Sequence, residues 1–321
     1  MRRYTILLAL VSLFLPLTVF AQTPEAAINH FKNAIKKSGA GDLDGAIEDY
    51  TRAITLSSGF GTRKKSDNAV GHSFTGSADA PTGETEEITV VDPFTANAYS
   101  NRGLVRYQKG DYTGAMEDFN RALRIKPGLA LAYLNRAAAF NAMGDPTAAM
   151  KDLDKAIALD KDLFQAYNNR GMLNLDAGNH KAALADLNRA IELTDKVADP
   201  FYYRGTTQLA LKNFDAAIAD FDRAIKLDPN SAWPYQGRGT ALMAKGVMMR
   251  AMDDFNRALE LNPKIAWGYF NRGLIFIFMG DEKKAQNEFA ECLKLKPELK
   301  SEVERRATLA RALHRIGQPP E

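Results

Sequence analysis

What this chain of 321 residues lacks narrows its chemistry early. Cysteine occurs once, at Cys292, so no internal disulfide can form. The four histidines, His30, His72, His180 and His314, have no Cys, Asp or Glu at metal-ligand spacing, and no HExxH is present. The patterns GxxxxGKS/T and GxSxG are missing too, which leaves no phosphate loop and no nucleophile elbow. Neither charge dominates: 42 Lys and Arg oppose 39 Asp and Glu, a net +3, or +1 without Arg2 and Arg3. A broad basic field for nucleic acid is therefore absent. The long apolar run is confined to Ile6–Phe20.

That run follows Arg2-Arg3 and leads into Val19-Phe20-Ala21, with small residues where a signal peptidase requires them. The order is that of a secretory signal peptide over residues 1–21, cleaved after Ala21. The alternative is an uncleaved membrane anchor, but the run is short for a span and Pro16 interrupts it. A periplasmic or secreted protein is expected, without stable membrane insertion once the signal is removed.

What the chain does have is a period. Tyr99, Tyr133, Tyr167, Phe201, Tyr235 and Tyr269 are each 34 residues apart. Four places after each stands a small residue, Gly103, Ala137, Gly171, Gly205, Gly239 or Gly273. Twelve further on comes Ala115, Ala149, Ala183, Ala217, Ala251 or Ala285. A bulky apolar residue follows at Phe119, Leu153, Leu187, Phe221, Phe255 and Phe289. Then comes a small one at Ala122, Ala156, Ala190, Ala224, Ala258 and Cys292. Prolines close four of these units, at Pro127, Pro229, Pro263 and Pro297.

This order of aromatic, glycine, alanine, aromatic, alanine and proline resembles the tetratricopeptide repeat, a helix-turn-helix unit, here of a bacterial exported type. The resemblance implies an all-α fold: a right-handed α-solenoid of about seven such units with a C-terminal capping helix. Six consecutive repeats occupy residues 96–297. An earlier one lies within 22–58, with Ala34, Ala46, Tyr50 and Ala53 in the matching places. Glycine inside a helix is unfavourable by roughly 0.5–1 kcal/mol against alanine. Its recurrence marks where paired helices approach closely, with Gly103 expected to face Ala115 and Ala122. Cys292 fills the last such small slot and reads as a buried small hydrophobe.

The arginine beside that glycine departs from the leucine usual in the family. Sixteen residues after each arginine lies an acid, from Arg102 with Asp118 to Arg272 with Glu288, six times in six. A ladder of ion pairs that fixes helix register is expected. Residues 298–317 present Val303, Ala307, Ala310, Leu313 and Ile316 near helical spacing and read as the cap. Residues 59–95, rich in Gly, Ser and Thr, lack the repeat markers and read as an inserted loop.

Signal, repeats, loop and cap account for nearly every residue, so no part remains to carry a reaction, and neither cofactor nor metal is implied. A non-enzymatic scaffold for protein–protein interaction in the cell envelope is the expected function. The alternatives are an assembly factor anchored through the N-terminal segment, or an accessory subunit of an envelope enzyme complex. The resemblance implies that helix A of each unit lines a concave face that takes an extended peptide or a partner helix. In relatives with long arrays, an asparagine on that face bonds the backbone of a bound peptide, and Asn101, Asn135, Asn169 and Asn271 match that position. Trp233, Trp267 and Phe270 add an aromatic group toward the C-terminus. The carboxylate clamp of some relatives is missing, since its asparagine slot holds Leu104, Ala138, Met172, Thr206, Thr240 and Leu274. The partner is a protein or peptide, with no nucleic acid; self-association is compatible with the sequence.

Overall fold

The computed structural model describes residues 23–58 and 93–316. The signal segment and residues 59–92 of the inserted loop lie outside them. The described residues form helices throughout, without a strand, and the chain divides between Lys161 and Asp162 into two compact units. The first holds α1 (Glu25–Gly39), α2 (Leu43–Ser58), α3 (Pro93–Gln108), α4 (Tyr112–Ile125), α5 (Ala130–Ala142) and α6 (Pro146–Leu159). The second begins with α7 (Phe164–Asp176), α8 (His180–Leu193), α9 (Ala198–Ala210) and α10 (Phe214–Leu227). It continues through α11 (Ala232–Ala244), α12 (Met248–Leu261), α13 (Ala266–Phe278), α14 (Glu282–Leu295) and α15 (Lys300–Arg315). Odd and even helices from α1 to α14 pair as the A and B helices of seven repeats, the number read from the sequence.

Local chemistry sets these boundaries. Asp111, Asp145 and Asp281 cap α4, α6 and α14 by accepting backbone N–H bonds from Gly114, Ala148 and Lys284. Helices A end where a residue enters the left-handed region: Gly41, Gly110, Gly144, Gly178, Gly246 and Gly280, with φ from 76° to 86°. In the fifth repeat Lys212 takes that place at φ 62°.

Within each pair the close approach is set by the residue sixteen places after the glycine. A Cβ built on Gly103 would lie 2.8 Å from Phe119 Cε1 and 3.1 Å from the carbonyl oxygen of Ala115. The facing group is thus the Phe119 ring, whereas Ala122 is not among the nearest atoms. Rings of Phe221, Phe255 and Phe289 crowd Gly205, Gly239 and Gly273 in the same way, and Leu187 faces Gly171. Ala137 replaces glycine in the repeat whose bulky residue is Leu153. Cys292 is fully buried, and burial pushes its thiol up to about 11, so it is inert packing.

Two boundaries differ from the sequence reading. α3 begins at Pro93, so Phe94 and Thr95 belong to a helix rather than to the loop. Phe94 is fully buried 5.1 Å from the Phe31 ring, and the Thr95 hydroxyl bonds Ser57 Oγ at 2.8 Å. α2 therefore packs on α3 as consecutive repeats do, although 34 residues separate their ends. At the other end a 3₁₀ turn, Pro297–Leu299, precedes the cap helix. Val303, Ala307 and Ala310 are buried against α13, but Ile316 is exposed because the helix ends there, and Gly317 lies outside the described residues.

Candidate functional site

The arginine ladder forms in all six repeats and is more elaborate than pairwise. Arg204 donates from Nε and Nη2 to the two oxygens of Asp220, at 2.9 and 2.6 Å. The same side-on fork joins Arg102 to Asp118, Arg136 to Asp152, Arg170 to Asp186, Arg238 to Asp254 and Arg272 to Glu288. Its remaining amine reaches the preceding B helix: Arg136 to Asn120, Arg204 to Asn188, Arg238 to Asp222 and Arg272 to Asn256. These acceptors also stand sixteen residues away, but on the N-terminal side, a second spacing that the sequence reading missed. Each guanidinium further lies over the aromatic ring three places before it, 5.3–5.8 Å from the centroid. One residue thus binds three helices together, with its Nε and both terminal amines each committed to a partner.

The first repeat solves the same problem differently. Asn33 occupies the arginine slot, and buried Asp49 is met instead by His30 Nδ1 at 2.8 Å and Lys37 Nζ at 2.6 Å. Burial alone would raise the Asp49 carboxyl; the bonds from Lys37 and His30 outweigh it and hold it below the usual value.

With arginine and glycine turned toward helix B, about 100° of turn per residue puts a different stripe on the opposite side of each A helix. That stripe holds the residues five before, two before and two after the arginine. Five before stand Asn97, Leu131, Gln165, Asp199, Trp233 and Trp267; two before stand Ser100, Leu134, Asn168, Tyr202, Gln236 and Phe270. The asparagines singled out by sequence lie at its edge. All four are buried, Asn101 and Asn135 fully. Asn101 faces the Tyr50 phenol, whose pKa burial raises and this contact lowers. Asn169 accepts a bond from Asn168, and Asn271 donates to Thr240 Oγ1 at 3.3 Å. These contacts run to a neighbouring residue or helix.

The aromatic group is not brought together as one surface. Phe270 is fully buried between Phe289 and the cap, with Arg306 of α15 over its ring, so it is core. Trp267 packs edge-on against it at 5.3 Å and also covers Leu259 and Ile265. Trp233 is 41% exposed.

Sequence reasoning missed the polar residues along the middle of the stripe. Both amide atoms of Asn97, the Ser100 hydroxyl, Asn168 Oδ1 and Gln236 Oε1 are buried and find no hydrogen-bond partner among the described residues. A buried polar group without a partner costs about 1–3 kcal/mol. Asn97 and Ser100 belong to the first compact unit, Asn168 and Gln236 to the second.

Family models described as tetratricopeptide repeat match residues 134–202, 198–231 and 268–299, and one described as TPR repeat matches 103–144; together they span half of the chain. The chain is a tetratricopeptide-repeat protein. Repeats of this family typically serve as non-enzymatic scaffolds for protein–protein interaction. A crystal structure of MamA is 30% identical, with 51% of this chain and 96% of that one covered at a TM-score of 0.45. A tetratricopeptide repeat protein from Parabacteroides merdae is 18% identical over 89% of this chain and all of that one, at a TM-score of 0.58. Pseudomonas aeruginosa pilF is 21% identical, covers 63% of this chain and 92% of its own, and gives 0.57. The last two share the fold. No curated protein matches the chain.

Proposed function

We propose that this tetratricopeptide-repeat protein is an exported envelope scaffold that binds an extended peptide segment of another protein along the helix-A stripe. The observation that supports the reading is that each unit carries buried polar groups without a partner among the described residues on its own helix-A stripe, Asn97 and Ser100 in the first and Asn168 and Gln236 in the second. An extended backbone presents a donor and an acceptor at every residue, which is what amides and a hydroxyl complement without demanding a sequence. Asn101 and Asn135 in the first unit, and Asn169 and Asn271 in the second, stand at the edge of the stripe on their own helices and support it from there. The export half rests on Arg2-Arg3, the apolar run and Val19-Phe20-Ala21. No helix among the described residues is long and apolar enough to cross a membrane.

Asn97→Leu separates the ligand reading from a purely structural one. Leucine is nearly isosteric with asparagine and removes two unsatisfied groups, so the free protein should gain about 1–2 kcal/mol. Partner binding should weaken by about 1–3 kcal/mol, because the ligand loses its bonds there. Calorimetry on the partner recovered by crosslinking reads both quantities. Unchanged affinity together with raised stability would remove the ligand reading. Intact-mass measurement on the envelope fraction tests export; the mature chain should begin at Gln22, and retention of Met1 would favour the anchored alternative.

A further inference from the structure

The partnerless groups are not of one kind along the chain. In the first unit Asn97 has donors and an acceptor free, and Ser100 a hydroxyl that serves as either. In the second unit those on the stripe are acceptors only. Asn168 Oδ1 on α7 is fully buried, and Gln236 Oε1 on α11 belongs to a side chain that is 8% exposed. Between these helices stands α9, whose first turn carries Asp199 on the same stripe. Asp199 is half-buried and has no cation beside it among the described residues. The neighbouring charge is another carboxylate, Asp228, at the end of α10, which accepts a bond from the Asn230 backbone N–H. Burial, and then the repulsion from Asp228, push Asp199 up to about 6. One repeat along, at the position equivalent to Asp199, is Trp233 with its indole exposed.

The carboxylates of the ladder in this unit, Asp186, Asp220, Asp254 and Glu288, each have their arginine. Asp199 is thus a charge set into a packed surface without the counter-charge the chain supplies elsewhere. An acceptor on α7 and an open aromatic face on α11 complete a surface that suits a donor-rich, positively charged group, while Gln236 Oε1 lies toward Gly268 of α13.

We propose that the stripe on α7, α9 and α11 is a docking site for a lysine or arginine side chain of the bound peptide. Asp199 supplies the charge, Asn168 a neighbouring acceptor, and Trp233 the cation–π face. The proposal deepens the peptide-binding reading and rests on it: within the second unit, a basic residue of the peptide is read at this position. The net charge of +3 gives no general attraction for cations, so a preference for a basic residue must come from a local site.

The test is selection from a library of displayed random peptides by the full-length protein at neutral pH and near-physiological salt, compared with Asp199→Asn and Trp233→Leu. The wild type should enrich peptides with Lys or Arg at one position by about tenfold over Gln. Asp199→Asn should still enrich peptides but lose that preference, and Trp233→Leu should reduce it. Asp199→Asn removes a disfavoured charge, so its melting temperature at neutral pH should be no lower than wild type, which separates lost recognition from lost folding. Enrichment without a basic preference, or with one that survives in Asp199→Asn, overturns this inference and leaves the peptide-binding reading standing. No enrichment at all by the wild type overturns both.

Discussion

Replacing Arg204 by methionine isolates what the arginine ladder contributes. Methionine keeps the apolar stem and its packing over Phe201, where the guanidinium lies 5.7 Å from the ring centroid. It removes both bonds to Asp220 and the bond to Asn188. Asn188 is exposed and recovers a water. Asp220, at 7% exposed, keeps a buried charge with no cation to meet it. Breaking one side of a buried pair in this way costs about 3–5 kcal/mol. The double replacement Arg204→Met with Asp220→Leu removes the stranded charge and should recover to within about 1–2 kcal/mol of wild type, a coupling of at least 2 kcal/mol. Urea unfolding followed by circular dichroism reads the whole array. Tryptophan emission reads only its C-terminal part, because Trp233 and Trp267 lie on α11 and α13. A repeat array weakened in the middle should lose the coincidence of the two probes. If Arg204→Met costs less than about 0.5 kcal/mol, the pair is worth no more than a surface ion pair and packing alone sets the register.

Three further outcomes follow from the packing and electrostatics. Lys212→Gly should raise stability by about 1 kcal/mol in the same urea titration, since Lys212 holds a left-handed turn that glycine occupies in six other repeats. Gly103→Ala should cost more than Gly171→Ala, by about 1–2 kcal/mol, because a Cβ meets the Phe119 ring and the Ala115 backbone at one site and a rotatable Leu187 at the other. The stability difference between wild type and Asp199→Asn should depend on pH in one direction. The folded carboxyl titrates near 6 against 3.8 for an ordinary aspartate, so the native state takes up the proton first. Wild type should gain on the variant as pH falls from 7 toward 4, by at most about 3 kcal/mol. A constant difference across that range would remove the buried charge from the account.

How much of this was legible without coordinates differs by feature. The repeat count, the pairing of helices and the six ion pairs could be read because each is a local spacing repeated in register. Of the two residues expected to face Gly103, Ala115 does so through its backbone, but the Phe119 ring stands where Ala122 is expected, because spacing fixes which residues share a face and not which side chain is long enough to arrive first. The start of α3 was placed three residues late because Pro93-Phe94-Thr95 precede the 34-residue register, and only the contact with Phe31 and Ser57 on the preceding repeat requires a helix there. The site was the least legible part. Asparagine draws the eye as a ladder, yet Asn101 and Asn271 are engaged with neighbouring helices. Ser100, Asn168 and Gln236 form no common residue type, and only burial without a partner sets them apart. Trp267 and Phe270 read as a surface until the cap helix is seen to cover Phe270.

Site-specific photo-crosslinking tests the central claim, that a partner polypeptide lies along the helix-A stripe. A photoreactive residue at Gln165 or Trp233, on the stripe, is compared with one at Lys155 or Asp253, exposed on the outer faces of B helices. The account predicts that irradiation with the library-selected peptide yields a covalent adduct from the two stripe positions, and at most about a tenth as much from the two outer ones. Adducts formed equally from both sets, or chiefly from Lys155 and Asp253, would contradict it.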